Sequence, residues 1–274
     1  MLTKSTIEQV VAATFEGEIT AVCDPPVWAI QRAEHPVFDR VAEVVPTHLT
    51  PREILAGRQA GPPTDWSVLS LAFPRKREIT EEAAAATDLP PKSWFASKIV
   101  KTRALPILGA ALAERVLGLG IDAFVAPGEG LGTARVNAGG TAYDNTWSER
   151  HVGYACGLGT FGLHGALITD AGCTHRMLSL LLKERLDTFN EVAEDPFGNC
   201  LWHARGTCGQ CLRRCPAGAI DTQSRNAIQC REQSYAKNRQ RVREAYALEM
   251  AGCALCMTGV PCSRTNPVRA SSRP

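Results

Sequence analysis

The cysteines of the C-terminal third are the residues whose spacing predicts chemistry. Eight of the eleven cysteines follow residue 199, and one run reads C-x2-C-x3-C-P from Cys208 to Pro216. This is most of the bacterial ferredoxin run C-x2-C-x2-C-x3-C-P, whose last cysteine ligates the other cluster of a pair. Thiolate sulfur is a soft ligand that suits iron in tetrahedral coordination. The spacing therefore predicts two 4Fe–4S clusters.

The ligands are assigned by the crossed pairing of ferredoxins. The first position of the full run would fall at Arg205, and Cys200, five residues upstream, is the natural substitute. The crossed logic gives the first cluster a cysteine from the end of the chain and gives the second cluster the last cysteine of the run. We expect the first cluster to be bound by Cys200, Cys208, Cys211 and Cys262. We expect the second to be bound by Cys215, Cys230, Cys253 and Cys256.

Two other uses of these cysteines are open at this point. A pair of zinc sites would use C-x2-C twice, although zinc does not explain the C-x3-C-P extension. A disulfide framework needs an oxidising compartment and usually a small chain, whereas this chain has 274 residues. Its first twenty residues contain charged and polar side chains throughout, which is atypical of a signal peptide or a membrane anchor. We therefore expect a cytoplasmic protein with reduced, metal-ligating cysteines. The remaining ones are expected to be small buried side chains, namely Cys23, Cys156 and Cys173.

The charge is unevenly distributed along the chain. The net charge is +2, but residues 196–274 carry 12 basic and 4 acidic residues, or +8, leaving 18 basic and 24 acidic residues elsewhere, or −6. Arginines within the cysteine motif would offset buried anionic clusters, the candidates being Arg205, Arg213 and Arg214. The basic run 237–243 is typical of a solvated helix face, with docking of an acidic partner as the alternative.

The rest of the chain is predicted to be α/β, in the α+β sense of helices packed on a sheet. Apolar runs bounded by breakers predict strands at 19–23, 67–73 and 121–125. Helical spacing predicts helices at 96–119, 147–156 and 175–187, with Pro106 kinking the first or starting its second half. We expect an α/β cofactor or substrate domain at 1–195 and a small ferredoxin-like domain at 196–274, holding both clusters.

One segment carries a family resemblance. Residues 147–169, WSERHVGYACGLGTFGLHGALIT, resemble the central segment of the epoxyqueuosine reductase-like proteins, which have Glu-Arg followed by a Gly-Leu-Gly turn and an aromatic-Gly pair. The cysteines from Cys208 onward match that family in order and approximate spacing. The ending CMTGVPC, residues 256–262, resembles a smaller branch of iron–sulfur relatives of the family. The family is distantly related to the reductive dehalogenases.

The resemblance implies a mechanism. In these families two 4Fe–4S clusters pass electrons to a cobalamin over the α/β domain, and an acidic side chain or a tyrosine supplies a proton. The matching window here ends at Glu149–Arg150, and counting back gives Tyr143 and Asp144 as alternative proton donors. A buried Asp has a raised pKa and can hold a proton at neutral pH. The alternative for Asp144 is a turn or a helix cap. An external electron donor of the ferredoxin or flavodoxin type is expected.

A glycine-rich loop adjoins this window, at Gly157, Gly159 and Gly162. It matches G-x-G-x-x-G, but a helix is predicted before it where a dinucleotide site needs a strand. Its glycines would let the backbone approach a flat cofactor, as the resemblance implies, or would make a tight connection. Among the histidines, His203 is the one expected near a cluster, where it would hydrogen-bond a sulfur or remain a loop residue.

Three functions follow. The first is an oxidoreductase in which the clusters reduce a cofactor or a substrate in the α/β domain. The second is an electron-transfer or accessory protein that serves a partner enzyme, for instance to reactivate a corrinoid protein. The third is a structural role in which the clusters only staple a small domain. Two clusters with crossed ligands favour electron flow over stapling. Neither a membrane nor a nucleic acid is expected as a partner.

Overall fold

The computed structural model describes residues 2–98, 103–126, 134–136, 143–188 and 190–271. It describes no side chains for residues 134–136, 143 and 144. Its strands, numbered in chain order, are β1 Val27–Arg32, β2 Ser67–Pro74, β3 Ala123–Ala126, β4 Ala134–Val136, β5 Tyr143–Asn145, β6 Gly159–Phe161, β7 Leu167–Thr169 and β8 His175–Leu182. Its α-helices are α1 Lys4–Thr14, α2 Val37–Val44, α3 Pro51–Gly57, α4 Arg77–Ala85, α5 Lys92–Ala96, α6 Leu105–Leu117, α7 Glu149–Ala155, α8 Leu201–Arg205, α9 Gln210–Arg213, α10 Ala227–Arg231, α11 Asn238–Tyr246 and α12 Pro267–Ala270.

The architecture is mixed α/β, as predicted. Its central sheet has the strand order β1-β2-β8-β3, and all its neighbouring strands are antiparallel. All eight residues of β2 are buried, because helices cover both faces of the sheet. One face packs against α1 and α6, through residues such as Ile7, Leu108 and Leu112. The other face packs against α2, α3 and α7, through residues such as Phe38, Leu55 and Val152.

The strand predicted at 19–23 is wrong. Residues Gly17–Ala21 form a 3-10 helix that buries Ile19, and Cys23 makes only an isolated bridge to Arg75. Pro25 and Pro26 follow, and proline cannot donate to a strand ladder. The ladder with β2 therefore begins only after the prolines, at Val27, which pairs with Ala72.

The helix predicted at 175–187 is also wrong, because these residues form β8 in the middle of the sheet. Leu178, Leu180 and Leu182 pack on one face while Leu181 packs on the other. A strand covered on both faces has a continuous apolar run without the period of two, so the pattern does not separate it from a buried helix. The strand predicted at 67–73 is confirmed by β2, and that at 121–125 is confirmed in part by β3.

The remaining helix predictions hold with shorter bounds. The helix predicted at 147–156 is confirmed as α7. Within the range 96–119, α6 begins at Leu105 with Pro106 in its first turn, where the missing N–H of proline costs nothing. Residues 99–102 of that prediction lie outside the described part of the chain. No helix in the described part is both long enough and apolar enough to cross a membrane.

The cysteine-rich segment is built from short helices and turns that share a core with the preceding region. Leu163, Ala166 and Ile168 of the β6–β7 hairpin pack with Cys200 and Ile220. Residues on both sides of position 195 thus contribute to one hydrophobic cluster. The division into domains at that position stays a prediction.

Candidate metal centres

Four of the predicted ligands line a single cavity. Its empty volume is about 330 Å³, including the part open to solvent, and its sulfur lining consists of Cys200, Cys208, Cys211 and Cys262. Cys200 lies at the start of α8, Cys208 and Cys211 flank the start of α9, and Cys262 follows Pro261. The other lining residues are largely apolar, and include Leu163, Ile168 and Val260. We call this set the first cysteine group.

The first cysteine group is electrostatically coupled. Burial, together with the neighbouring thiolates of Cys262, Cys200 and Cys208, raises the pKa of Cys211 to about 12. Four thiolates this close repel one another, so they ionise together only when a cation offsets their charge. Soft sulfur donors around one cavity are the donor set that iron–sulfur clusters require. The first cysteine group therefore fits such a cluster.

The other four predicted ligands form a second cysteine group, Cys215, Cys230, Cys253 and Cys256. Burial is the main cause that raises the pKa of Cys256, and the thiolates of Cys253, Cys230 and Cys215 add to it, while Arg225 opposes them. Burial likewise raises the pKa of Cys253, with the thiolates of Cys230 and Cys215 contributing. For Cys211, Cys253 and Cys256, the neighbouring thiolates that raise the pKa thus come in each case from the same group of four. The assignment of iron ligands stays a prediction.

Both C-x2-C loops contain non-glycine backbone in a conformation with positive φ. Cys208 has φ +89° and is followed by Gly209 at +64°, and Ala254, which follows Cys253, has φ +151°. Such residues cost of order 1–3 kcal/mol each and cluster at functional sites, where the surrounding structure holds them. Successive residues of this kind can also turn their N–H groups toward an anion. The two loops are therefore shaped for a bound group.

Polar groups reach the sulfurs of the second cysteine group. The backbone N–H of Ala219 donates to Cys215 Sγ at 3.3 Å, and Arg225 Nη1 donates to Cys230 Sγ at 3.8 Å. Arg150 of α7 also lies near this group: burial lowers its pKa to about 10, while the thiolates of Cys256 and Cys230 oppose that shift. Arg225 and Arg150 thus place positive charge beside the second cysteine group.

Two of the arginines predicted to offset cluster charge, Arg214 and Arg205, make described hydrogen bonds to groups other than cysteine sulfurs. Arg214 donates to the carbonyl oxygens of Leu255 and Ala86, at 2.9 and 3.1 Å. Arg205 donates to Ser271 Oγ at 2.7 Å. The role of Arg205, Arg213 and Arg214 in offsetting cluster charge stays a prediction.

The basic run at 237–243 lies largely on α11, and three of its cations, Lys237, Arg241 and Arg243, are paired at the surface. Arg241 pairs with Asp88, and Arg243 pairs with Glu249 at 2.8 Å. Exposed pairs of this kind contribute little to stability. They favour the interpretation of this run as a solvated helix face over the interpretation as a docking site.

A histidine that the sequence reasoning missed contacts the first cysteine group. His164 is 2% exposed, and its Nε2 lies 3.3 Å from Cys262 Sγ, across 98 positions of sequence. The expectation that His203 is the histidine near the cysteines is wrong. His203 is an exposed residue of α8 whose ring packs on Phe197, with centroids 4.6 Å apart. Only the docking of the β6–β7 hairpin brings His164 to the sulfur, so no local signal revealed it.

Cys173 also lies at the first cysteine group. It is fully buried, as predicted, and its Sγ is 3.9 Å from Cys262 Sγ. Hydrogen bonds from Cys173 and His164 hold the pKa of Cys262 well below its usual range, whereas burial raises the pKa of Cys173. His164, Cys173 and Cys262 place three ligand atoms within 4.8 Å of one another. Cys256 of the second group also acts on the charge of Cys173, so the two groups approach each other here.

The glycine loop is packed against its own chain. A Cβ at Gly157, whose φ is +80°, would lie 2.8 Å from the carbonyl oxygen of Glu191. A Cβ at Gly159 would overlap the carbonyl oxygen of Ile168, and one at Gly162 would lie 2.7 Å from the His164 ring. These contacts explain the three glycines as a tight connection, which was the second of the two interpretations. Their role as cofactor-binding residues stays a prediction.

The proposed proton donors lie on a short ribbon. Tyr143 and Asp144 belong to β5, which pairs with β4 so that Tyr143 faces Val136 and Asp144 faces Arg135. The backbone of Asp144 is therefore extended, and its interpretation as a turn or helix cap is wrong; α7 begins only at Glu149. The side chains of Tyr143 and Asp144 lie outside the described part of the chain, so their catalytic role stays a prediction.

A carboxyl group of unusual character lies close by. Burial raises the pKa of Glu149 to about 8, although hydrogen bonds with Ser179 and Trp147 oppose the shift. Its Oε2 is buried without a hydrogen-bond partner in the described part of the chain. Trp147 Nε1 donates to Ser179 Oγ at 3.0 Å and so anchors this region on β8. Glu149 is thus a carboxylic acid that stays protonated at neutral pH.

Glu149→Gln is expected to stabilise the protein at pH 8 and to change little at pH 5. Between the usual pKa of 4.5 and about 8, the folded state holds a proton that the unfolded chain releases. Raising the pH through this window therefore lowers the free energy of unfolding of the parent protein. The glutamine amide of the variant does not ionise, so the variant keeps this stability. We expect the unfolding temperature to rise by roughly 5–10 °C at pH 8, as measured by calorimetry under anaerobic conditions. The exposed Glu16→Gln is the control. An equal gain at both pH values would contradict the ionisation argument.

The chain was compared with known proteins. No family model and no curated protein matches it. A reductive dehalogenase, from a structure that suggests a mechanism for B12-dependent dehalogenation, matches with a TM-score of 0.53 at 14% identity, covering 97% of this chain and 33% of its own. A catabolic reductive dehalogenase in complex with 3-bromo-4-hydroxybenzoic acid has a TM-score of 0.50 at 15% identity, covering 89% and 30%.

An epoxyqueuosine reductase with an epoxyqueuosine-modified tRNA-Tyr stem loop matches with a TM-score of 0.47 at 16% identity, covering 94% of this chain and 66% of its own. The structural neighbours are thus epoxyqueuosine reductases and reductive dehalogenases, as the sequence resemblance indicated. This chain spans about two thirds of the former and about one third of the latter. At 14% and 15% sequence identity, the likeness to the dehalogenases establishes the fold alone.

Proposed function

We propose that this protein is an iron–sulfur oxidoreductase. In this proposal the first and second cysteine groups each hold one 4Fe–4S cluster, in a ferredoxin-like C-terminal region. The clusters pass single electrons to a cofactor or a substrate in the α/β region. The main supporting observation is that Cys200, Cys208, Cys211 and Cys262 line one cavity, and that the thiolates acting on Cys211, Cys253 and Cys256 belong in each case to the same group of four.

The arrangement of the two groups supports electron transfer over a structural role. Cys215 continues the run that begins with Cys208, yet it belongs to the second cysteine group, as the crossed ferredoxin pattern requires. Cys173 lies against Cys262 of one group and within electrostatic reach of Cys256 of the other. A small domain can be stabilised by one metal centre, so a purely structural role does not require two. Two neighbouring redox centres do form a path for electrons. The sulfurs that accept N–H bonds fit the same role, since such bonds set cluster potentials.

Cobalamin is the cofactor that the family resemblance implies for the α/β region. When bound it would supply a metal centre that reduces the substrate with electrons from the clusters. Tyr143 or Asp144 would supply the proton, and the loop at 157–162 would lie at the edge of the pocket. This part of the proposal draws on the resemblance and on the dehalogenase fold, and an external donor of the ferredoxin or flavodoxin type would provide the electrons.

The second candidate is an electron-transfer or accessory protein for a partner enzyme. It is favoured by the tight packing of Gly157, Gly159 and Gly162, which explains the glycine loop without a cofactor. Such a protein would hold both clusters and would reduce an oxidised partner without turning over a substrate of its own.

Anaerobic purification with iron analysis and absorbance spectroscopy tests the proposal. We expect about eight iron atoms per chain and a broad brown band that bleaches with dithionite. Cobalamin is then titrated into the protein, and binding is expected to change the absorbance of the cobalt centre. An epoxyqueuosine-modified tRNA stem loop and 3-bromo-4-hydroxybenzoic acid serve as first substrates.

The outcomes separate the two candidate functions. Absence of iron–sulfur absorbance after anaerobic reconstitution would refute both. Intact clusters with no cobalamin binding, and no turnover of either compound, would favour the electron-transfer function. Zinc in place of iron would contradict every redox assignment.

A further inference from the structure

The direction of the hydrogen bond between His164 and Cys262 can be deduced from the backbone. The N–H of Ala166 donates to His164 Nδ1 at 3.1 Å, so Nδ1 must be the unprotonated nitrogen that accepts. In a neutral imidazole the other nitrogen then carries the proton. Nε2, which lies 3.3 Å from Cys262 Sγ, is therefore the donor to the sulfur. The Ala166 N–H selects this tautomer, and the tight turn in which Gly165 donates to the carbonyl of Gly162 at 2.7 Å positions the residue.

The position of this donor cannot adjust. His164 is 2% exposed, and a Cβ on Gly162 would lie only 2.7 Å from its Cε1, so the ring is packed on that side. The ring lines the same cavity as the first cysteine group, together with the apolar residues Leu163 and Val260. Because His164 is buried, its hydrogen bond to a charged sulfur is stronger than the same bond in water. A rigid donor of this kind acts on the charge of whatever the sulfur binds.

We propose that His164 is a positioning residue that raises the reduction potential of the cluster ligated by Cys262. This inference rests on the proposed function. Reduction adds one electron to the cluster and forms or breaks no bond, so its negative charge increases by one. An N–H donor to a ligand sulfur stabilises the reduced form more than the oxidised form. In the described part of the chain His164 makes no hydrogen bond to a sulfur of the second cysteine group, so we expect the effect at one of the two clusters.

The test is a redox titration monitored by electron paramagnetic resonance, with His164→Leu and His164→Gln. Leucine removes the donor, whereas the amide of glutamine keeps one. At a fixed potential we expect His164→Leu to lower the ratio of reduced to oxidised first cluster about tenfold, which is about 59 mV for a one-electron couple. His164→Gln is expected to stay nearer the parent. His203→Leu is the matched control, because His203 is an exposed residue of α8 whose ring packs on Phe197 and which makes no described hydrogen bond to a sulfur.

Unchanged potentials in His164→Leu would overturn the proposal. Equal shifts in the leucine and glutamine variants would also overturn it, since they would assign the effect to packing. Loss of about half the iron in His164→Leu, with the control intact, would make His164 a ligand and not a donor. The parent protein supplies an independent measurement: with ¹⁵N-histidine, the reduced cluster is expected to couple weakly to one imidazole nitrogen, and absence of that coupling would contradict the contact. Failure of the proposed function would be seen separately, as a parent protein without clusters.

Discussion

Cys200→Ala is expected to lower the iron content of the anaerobically purified protein from about eight to about four atoms per chain. Cys200 is the least conventional of the predicted ligands, because it replaces a cysteine that a ferredoxin would have at the position of Arg205. Its thiol nevertheless lines the cavity of the first cysteine group and is 9% exposed. Without it, one iron would lack a thiolate, and a site with three ligands releases its cluster readily. Iron and sulfide analysis measures the result.

Two other buried cysteines provide matched controls for this variant. Cys156→Ala removes a buried thiol whose Sγ donates to the carbonyl oxygen of Val68 at 3.6 Å, and Cys156 packs in a different hydrophobic cluster from Cys200 and Cys211. Cys173→Ala removes the thiol beside Cys262 that was not predicted as a ligand. Both are expected to keep all the iron. Full iron content in Cys200→Ala, together with loss in Cys173→Ala, would show that Cys173 is the ligand and that the sequence assignment is wrong.

Asp144→Asn or Tyr143→Phe is expected to lower substrate turnover by about 100-fold while both clusters remain intact and reducible. A reductase adds protons as well as electrons to its substrate, so loss of the acid slows the reaction without blocking the electron path. The variants are assayed with whichever compound the parent protein reduces. Dithionite titration, followed by absorbance, measures the clusters independently of turnover.

The controls for this second prediction change the same residue types elsewhere. Tyr154→Phe removes a hydroxyl that donates to the carbonyl oxygen of Ala193, and Asp122→Asn removes an exposed partner of Lys183. Neither is expected to alter turnover. If only one of the two window variants loses activity, that residue is the proton donor. Parent-like turnover in both would remove the catalytic interpretation of this window, and the electron-transfer function would then describe the protein better.

Local chemistry could be predicted from the sequence because it depends on residues close together in the chain. The run from Cys208 to Pro216 brings several thiols into one loop, and a loop of that length can turn sulfurs inward whatever surrounds it. The crossed pairing added the more distant partners, including Cys262, and the structure places that residue in the cavity with Cys200, Cys208 and Cys211. The mixed α/β class and the helix α7 followed from apolar periodicity in the same way.

Contacts between distant segments were decided only by the tertiary structure. His164 meets Cys262 because the β6–β7 hairpin packs on the cysteine-rich segment, and nothing in its neighbours Leu163 and Gly165 encodes that contact. Arg150 reaches the second cysteine group from α7 for the same reason. The sequence alone determined which side chains are soft sulfur donors and in what order they follow one another, since residue type and loop length are local properties. The fold determined which charges and donors surround them, because those are set by packing across nearly a hundred residues.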